Sequence, residues 1–507
     1  MSAPSPQPDP YARVVHRFAT AGKLAAAGQM LNWDAQTHMP PGGAWARSEQ
    51  MAALTEVSAD LIGGEGVGEE LSEAEELAHR LEPEEQADLK EMRHAWVHAA
   101  AVPKDLQAAK ARMSQQLQAV WTRAKPENDF KSFSGPFKAL LEVVREIAAA
   151  KAGALGTTPY GALMDEYDPG VGEALVDPIF ADLAGALPPL IAEVLERQAG
   201  WPDPIPYPPS PTLRQAALSH RLALVVGHDP DGFRIDSAPH PFSVPHSPGD
   251  VRFTTRYDVD DVRYSIMATL HEAGHSMYEA NLPRAFAFRP GGMARGMSVH
   301  ESQSLSLEMI AGRSREFLQF LAPLMADALG GDPAPYGVAN VLNATRRLDR
   351  DYIRVNADEI SYPLHVILRY RIEKALLSGD LPVDDLPGAW DDAFEAMFAR
   401  RPPSLAQGCL QDIHWSAGYI GYFPNYAMGA LLAAQLFERA TADDPEIRPA
   451  LARGDFGPYF AWARARVHER ASLVSFKDLV AQATGAPLAT DAFKRHIQRR
   501  YLDEPAP

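Results

Sequence analysis

The sequence predicts a mainly α-helical fold with one small β-sheet. Through most of the 507 residues, apolar side chains recur at about 3.6-residue spacing with few internal breakers. Only the region around residues 242–257 combines β-branched and aromatic residues with a period of two. The chain is 46% hydrophobic, which is ample for a large core and would ordinarily suggest two or more domains.

Turns and prolines divide the helical pattern into segments. In the segment 175–198 we expect a break or kink at Pro188 and Pro189, since proline lacks the amide hydrogen that a helix interior needs. The proline-rich stretch 201–211 is interpreted as a rigid surface connection, because helical pattern resumes at Leu213. The other predicted helices span residues 11–31, 44–62, 84–101, 104–124, 137–151, 302–329, 336–357, 362–378, 391–397 and 428–440.

The predicted sheet lies directly before a motif with chemical potential. Its strands cover residues 242–244 and 251–257, with an irregular turn between them. An edge strand in this position commonly binds an extended peptide by strand addition. A purely structural sheet is equally compatible with the pattern, and both interpretations remain open.

The strongest chemical signal is His271-Glu-Ala-Gly-His275. On a helix, His271 and His275 project from one face, a spacing that suits two nitrogen ligands of one tetrahedral zinc ion. Glu272 stands beside the first histidine, where its carboxylate can act on a water rather than on the metal. Burying the two histidines and the glutamate without a cation would be unfavourable. The alternative is an ordinary amphipathic helix with two histidines on its surface.

A catalytic zinc site needs a third protein ligand, and Glu301 is the strongest candidate. It follows His275 after a glycine-containing connection, residues 291–296, that gives the backbone freedom to return to the metal. The alternative is a carboxylate near a helix N-terminus, favoured by the helix dipole. Spacing alone leaves both open.

The composition of the chain limits the classes of partner and the cellular compartment that we expect. A formal net charge of −18, spread along the chain, argues against nucleic acid and anionic membranes. The single cysteine, Cys409, allows no disulfide within the chain and fits a cytoplasmic protein; we interpret it as a buried thiol. No run of 18 apolar residues is present, and the N-terminus does not have the pattern of a signal peptide. Residues 1–10 are predicted to be a disordered tail.

Several motifs together resemble one family. His271-Glu-Ala-Gly-His275 with His300-Glu-Ser-Gln303 is similar to the carboxypeptidase Taq family of thermostable metallocarboxypeptidases. The pattern departs mildly at Gly161, where an acidic residue is expected. Further matching segments occur in the family's order across nearly the whole chain: residues 33–43, 236–242, 250–254, 353–365 and 408–415.

The resemblance implies a fold, a reaction and a ligand set. It implies a large helical body with a deep central groove and a small sheet beside the metal helix, similar to neurolysin and angiotensin-converting enzymes. A single catalytic domain with two lobes would span residues 11–503. Members are usually homodimers that remove single residues from peptides with a free C-terminus, with broad preference. Zinc, replaceable by cobalt, would be held by His271, His275 and Glu301, with Glu272 as the base.

Recognition of a terminal carboxylate calls for a cation, and Arg354 is the first candidate. It lies in the matching segment 353–365, and we expect Asn356, Asp358 and Glu359 to hold it in place. An ordinary surface salt bridge with these acids is the alternative.

The segment after His414 is similar to one that carries a histidine and two tyrosines in the active site of angiotensin-converting enzymes. By that resemblance Tyr422 would donate to the oxyanion, Tyr419 would bind the product-side carboxylate, and His414 would donate near the scissile bond. Helix packing is the commoner fate of such aromatics.

On the sheet, His240 is a candidate donor to the substrate backbone, supported by Arg252 and Asp250. An Asp–Arg pair that only braces the sheet edge is the alternative.

Two other functions fit the same motifs. An endo-acting oligopeptidase or a dipeptidyl carboxypeptidase would keep the chemistry and change the bond that is cut. A catalytically silent, peptide-binding scaffold with a structural metal belongs to another class. Glu272 argues against that scaffold, because a structural metal site does not require it.

Overall fold

A computed structural model describes residues 9–247 and 249–506 and shows a mainly α-helical chain. The helices are α1 (Pro10–Thr37), α2 (Ala44–Gly63), α3 (Val67–Glu76), α4 (Pro83–Ala100), α5 (Lys104–Glu127), α6 (Phe130–Leu155), α7 (Pro159–Tyr167), α8 (Glu173–Gln198), α9 (Thr212–Val226), α10 (Val262–Ala280), α11 (Gly296–Leu305), α12 (Arg315–Leu329), α13 (Val338–Arg346), α14 (Tyr362–Ser378), α15 (Leu386–Phe398), α16 (Pro424–Asp443), α17 (Ile447–Leu451), α18 (Gly457–Arg466), α19 (Phe476–Thr484) and α20 (Asp491–Ile497).

Three of the predicted helices differ from the structure. The segment 175–198 was predicted to break or kink at Pro188 and Pro189, and the break is absent, because α8 runs continuously through both prolines. The predicted helix 302–329 is interrupted by a π-helical turn, Ser306–Ala311. The predicted helix 336–357 is shortened to α13, because the amide of Leu348 donates to Oε1 of Gln198 instead of to a helical carbonyl.

The sheet has three strands, β1 (Phe233–Ser237), β2 (Ser243–Ser247) and β3 (Asp250–Thr255). Their order is β1-β3-β2, with β1 parallel and β2 antiparallel to β3, so the predicted pair is confirmed and β2 is an edge strand. Strand β1 was not predicted from the sequence, although Phe233 and Ile235 alternate with polar residues there. Phe253 of β3 is fully buried and anchors the sheet in the core.

The buried apolar residues form two clusters. The larger one extends from α5 to the last helices and encloses α10, α11, α14 and α16. The smaller one joins α1, α3 and α4 through residues such as Phe18, Leu71 and Met92. The prediction of one catalytic domain over 11–503 stays a prediction. The predicted tail lies outside the described residues except for its last two positions, where Asp9 caps α1 and Pro10 begins it.

By length and composition alone, α8 is apolar enough to cross a membrane. Such helices also occur in the cores of proteins that cross no membrane, so this is weak evidence. In the structure Val176, Phe180, Leu183 and Leu187 of α8 are buried in the larger core cluster. That face of the helix is therefore covered by protein.

Candidate active site

The histidine motif lies on α10, near the middle of the larger core cluster. Asp261 caps this helix by accepting a hydrogen bond from the amide of Arg263, and Ile266, Leu270 and Ala273 bury its inner face. His271 and His275 project from the same face, with ring centroids 4.8 Å apart. The predicted i,i+4 pairing of the two imidazoles is thus present.

Glu301 of α11 faces both histidines. Its Oε2 lies 3.8 Å from Nε2 of His271 and 3.3 Å from Nε2 of His275. Donor atoms held about 2.1 Å from one tetrahedral ion lie about 3.4 Å apart, so the separations fit zinc. Glu301 is 4% exposed. Its buried carboxylate and the two imidazoles together form a set of ligand atoms suited to a divalent cation. The structure brings together the three residues that the sequence predicted as ligands.

Two glycines allow the helices to approach this closely. A Cβ atom on Gly274 would lie 2.6 Å from Cα of Ser304, so α10 and α11 pack backbone to backbone. A Cβ atom on Gly429 would lie 2.7 Å from Cβ and 2.8 Å from Cγ of Glu301. Because α16 has no side chain at this position, its backbone supports the Glu301 side chain directly.

Partners on the far side of each imidazole orient the rings. Nδ1 of His271 lies 2.9 Å from Oε2 of Glu308, and Arg313 donates to the other oxygen of that carboxylate at 2.9 Å. Nδ1 of His275 lies 3.1 Å from the carbonyl oxygen of His300. These contacts direct both Nε2 atoms toward Glu301, as hydrogen bonds to the other ring nitrogen do for metal-binding histidines. Glu308 was not predicted as part of the site, although its i+7 spacing from Glu301 was a usable signal.

The charges of the site are strongly coupled. Burial alone would lower the pKa of His271, but the carboxylates of Glu301 and Glu308 outweigh it and raise the pKa to about 10. Burial alone would raise the pKa of Glu301, but His271 and His275 lower it to about 2. The carboxylates of the cluster therefore favour positive charge between them, which a bound cation also supplies.

Glu272 is buried beside the ligand set and contacts the sheet. Its Oε2 accepts a hydrogen bond of 2.5 Å from Oγ of Ser243 in β2. Burial raises its pKa, against the opposing effects of His271 and Ser243. The edge strand β2 thus lies beside α10, as the sequence predicted.

His414 and Tyr422 belong to a cluster of aromatic residues. Their rings are 5.6 Å apart, and Nε2 of His414 lies 3.1 Å from the hydroxyl of Tyr426. Burial raises the pKa of Tyr422 well above 10, with further contributions from Tyr426 and the charge of Glu301, so its hydroxyl keeps its proton. Tyr426 was missed; it lies one helical turn after Tyr422 in the sequence. Tyr419 is 47% exposed at the edge of this cluster.

Glu373 of α14 fixes the segment that carries these aromatics. It accepts hydrogen bonds from Nε1 of Trp415 at 2.9 Å, from the amide of Gly421 at 3.0 Å and from the hydroxyl of Tyr160 at 2.8 Å. Gly421 has a φ of +87°, and a Cβ atom there would lie 3.0 Å from the backbone of Leu163. One buried carboxylate therefore holds both sides of the turn that precedes Tyr422.

Arg354 is buried, but its partner is not one of the predicted acids. Its Nε and Nη2 each lie 3.1 Å from Oδ1 of Asp412, and the other oxygen of Asp412 accepts from Arg369 at 2.5 and 2.7 Å. Asp412 outweighs the effect of burial and raises the pKa of Arg354 further, so the guanidinium stays charged.

Asn356, Asp358 and Glu359 were predicted to hold Arg354 in place, and that prediction is wrong because all three contact other residues. Asn356 bonds Asp351, Asp358 accepts from the backbone of Ser361 before α14, and Glu359 pairs with Arg500 and His496. Proximity in sequence was misleading because the backbone turns sharply between these positions.

Of the three candidate residues on the sheet, Arg252 pairs with Asp250, whereas His240 does not join that pair. Arg252 forms a fork with Asp250, with its Nε and Nη2 at 2.7 and 2.9 Å from the two carboxylate oxygens. His240 is exposed, and its carbonyl oxygen accepts from Oγ1 of Thr254 at 3.3 Å. Among described residues, none hydrogen-bonds to the His240 ring.

The chain is similar to known peptidases over almost its whole length. The family model described as "Carboxypeptidase Taq (M32) metallopeptidase" matches residues 13–501. The chain belongs to the carboxypeptidase Taq (M32) family. It is 34% identical over 489 residues to thermostable carboxypeptidase 1 of Thermus thermophilus, covering 94% of this chain and 95% of that protein. It is 31% identical over 473 residues to carboxypeptidase 1 of Bacillus subtilis, covering 93% and 94%.

Solved structures of M32 enzymes show the same fold. Trypanosoma cruzi metallocarboxypeptidase 1 superposes with a TM-score of 0.94 at 35% identity, covering 97% of this chain and 99% of that one. The M32 carboxypeptidase of Deinococcus radiodurans gives a TM-score of 0.91 at 30% identity, covering 97% and 99%. The chain is therefore a metallocarboxypeptidase, a peptide hydrolase whose family implies a metal cofactor. Cys409 is buried, and burial raises its pKa to about 12, as expected of an inert thiol.

Proposed function

We propose that this enzyme is a zinc-dependent carboxypeptidase that releases single C-terminal residues from peptides with broad preference. The observation that carries the proposal is the joint presence of a three-donor set and a buried carboxylate beside it, Glu272. A structural zinc site has four protein ligands, whereas three leave a position for the reaction. Zinc suits the His–His–Glu donors, and cobalt, with similar ligand preferences, would replace it.

The metal would be held by His271, His275 and Glu301. When bound, zinc supplies a Lewis acid that makes a water acidic near neutral pH and polarises the scissile carbonyl. Glu272 accepts the proton of the attacking water and then passes it to the leaving amine. Its buried position and its hydrogen bond to Ser243 keep the carboxylate oriented for both transfers.

The aromatic cluster would stabilise the developing oxyanion. Tyr422 retains its proton at neutral pH, so its hydroxyl can donate to the oxyanion of the tetrahedral intermediate. His414 donates near the scissile bond; burial and then the charge of Arg354 lower its pKa to about 3, so it acts as a neutral imidazole. Its contact with Tyr426 fixes the ring.

An excess of buried positive charge supports recognition of a free C-terminus. Arg354 and Arg369 share the single carboxylate of Asp412, so this group of three carries one net positive charge. Both bonds of Arg354 use Nε and Nη2, and no described residue accepts a hydrogen bond from its Nη1. We propose that Arg354 binds the terminal carboxylate of the substrate, with the exposed Tyr419 assisting on the product side.

The edge strand would bind the rest of the peptide. We propose that β2 pairs with the substrate backbone, with His240 as a donor and the Arg252–Asp250 fork as its support. A homodimer, a cytoplasmic location, and the absence of nucleic-acid and membrane partners are further parts of the proposal, supported by the acidic composition and the family.

Peptide ladders test the proposal. A pool of short peptides is incubated with zinc-loaded enzyme, with a chelated control and matched C-terminal amides, and the products are read by mass spectrometry. We expect ladders of one residue that disappear with chelator and never form on amides. Glu272→Gln should keep the zinc and lose nearly all turnover, and retained turnover in that variant would end the mechanism.

Other products identify the alternatives. Internal fragments would indicate an oligopeptidase, and released dipeptides a dipeptidyl carboxypeptidase; either result removes Arg354 from the proposed role. Bound zinc without hydrolysis of any peptide would indicate a silent scaffold.

A further inference from the structure

A second set of metal-binding side chains joins α4 to α7. His94 and His98 lie at i and i+4 on α4, with ring centroids 4.7 Å apart. Both face Asp165 of α7: Nε2 of His94 lies 2.6 Å and Nε2 of His98 3.0 Å from the same oxygen, Oδ2. This repeats the arrangement of His271, His275 and Glu301, two imidazoles one helical turn apart and a carboxylate from another helix.

The surroundings orient this set toward a shared ligand. The other oxygen of Asp165 accepts from the amide of Gly170 at 2.9 Å, which leaves Oδ2 to face the imidazoles. Nδ1 of His98 is buried without a hydrogen-bond partner among the described residues, so the ring makes its side-chain hydrogen bond to Asp165 through Nε2. The neighbouring Glu166 is occupied by Lys151 at 2.6 Å.

The donors point to a divalent transition metal. Imidazole ligands favour zinc, cobalt or nickel over calcium and magnesium. The Nε2–Oδ2 separations are shorter than the roughly 3.4 Å between donors of a tetrahedral zinc, so entry of an ion requires the side chains to part by several tenths of an ångström. Exposures of 28% for His94 and 20% for Asp165 give an ion access and leave room for water as a fourth ligand.

We propose that His94, His98 and Asp165 form a second binding site for Zn²⁺ or a related transition-metal ion, separate from the proposed catalytic site. An ion there ties α4, which belongs to the smaller core cluster, to α7. Tyr167 lies in the same helix as Asp165, and its ring packs edge-on against Tyr422 at 5.0 Å. The second ion thus stabilises the support of the aromatic cluster and takes no part in the reaction.

Zinc counting on the full-length protein tests the site. Purified protein is equilibrated by dialysis at a fixed micromolar free Zn²⁺ concentration, and zinc per chain is measured by mass spectrometry. We expect two ions in the wild type and one in either Asp165→Asn or His94→Gln. His79→Gln is the matched control, since it removes an exposed histidine outside both sets and should keep two ions.

The thermal midpoint provides a second measurement. Added zinc should raise the midpoint of the wild type by several degrees more than that of Asp165→Asn, because only the wild type can bind the second ion. One ion in the wild type would overturn the proposal, and so would two ions in both variants. Loss of the first site in His275→Ala with one ion retained would support it, and that result is independent of whether peptides are hydrolysed.

Discussion

Replacing Gly429 by alanine should displace Glu301. The new Cβ would lie 2.7 Å from Cβ and 2.8 Å from Cγ of Glu301, whereas carbon atoms in ordinary contact are about 3.5–4.0 Å apart. One of the two helices must therefore shift by about 1 Å, or Glu301 must change rotamer. Overpacking of this kind costs about 1–3 kcal/mol, and a 1 Å displacement of a catalytic group can reduce turnover about 100-fold.

The assay compares zinc content and kcat with a matched glycine substitution. Gly388 lies in α15 with no atom near its Cβ position, so Gly388→Ala adds the same methyl group to a helix without a clash. It should keep zinc and activity, and it should be neutral or stabilising by about 1 kcal/mol. Gly429→Ala should fold but bind zinc more weakly and turn over far more slowly. Wild-type zinc affinity and kcat in Gly429→Ala would refute the role of this close contact.

Three further predictions concern protons and positioning. Burial lowers the pKa of His468 to about 3, so this histidine binds a proton only on unfolding, and stability is lost as pH falls from about 6.5 toward 3. His468→Gln should reduce the stability lost between pH 7 and pH 5.5 by about 1.3 kcal/mol in total, measured by denaturant unfolding at both pH values. An unchanged slope would contradict this. Zinc affinity should fall about tenfold per pH unit of acidification, measured with a competing chelator, because the raised pKa of His271 makes the ion displace a proton; a flat profile between pH 6 and 8 would disprove it. Glu373→Gln should lower kcat about 10- to 100-fold with zinc content unchanged, because Trp415 and Gly421 donate to different oxygens of Glu373 and glutamine keeps only one of these two acceptors; unchanged kcat in steady-state assays would exclude this positioning role.

The sequence predicted the parts of the site that depend on local spacing. The i,i+4 pair His271 and His275 needed only a helix, and the resemblance raised Glu301 from one of two options to the expected ligand. The ion-pair partner of Arg354 could not be predicted from local spacing. Its partner Asp412 is far away in sequence, and acids close in sequence point elsewhere because the backbone turns.

In the fold, too, the features set by local sequence pattern were predicted, and those set by tertiary contacts were not. Periodicity located most helices, but not the π-helical turn at Ser306–Ala311, which places Glu308 behind His271. The end of α13 was missed because a side chain from α8 takes the place of a helical hydrogen bond. Tertiary contacts decide such boundaries, and no local pattern contains them.

The dependence of Glu301 on the backbone of α16 has a consequence for synthesis of the chain. The histidines and Glu301 leave the ribosome well before Gly429 does. Until α16 is made and packs, its backbone does not support the Glu301 side chain beside the imidazoles. A nascent chain therefore carries the ligands without the geometry that unites them, and hydrolytic competence arrives only after α16 has been made.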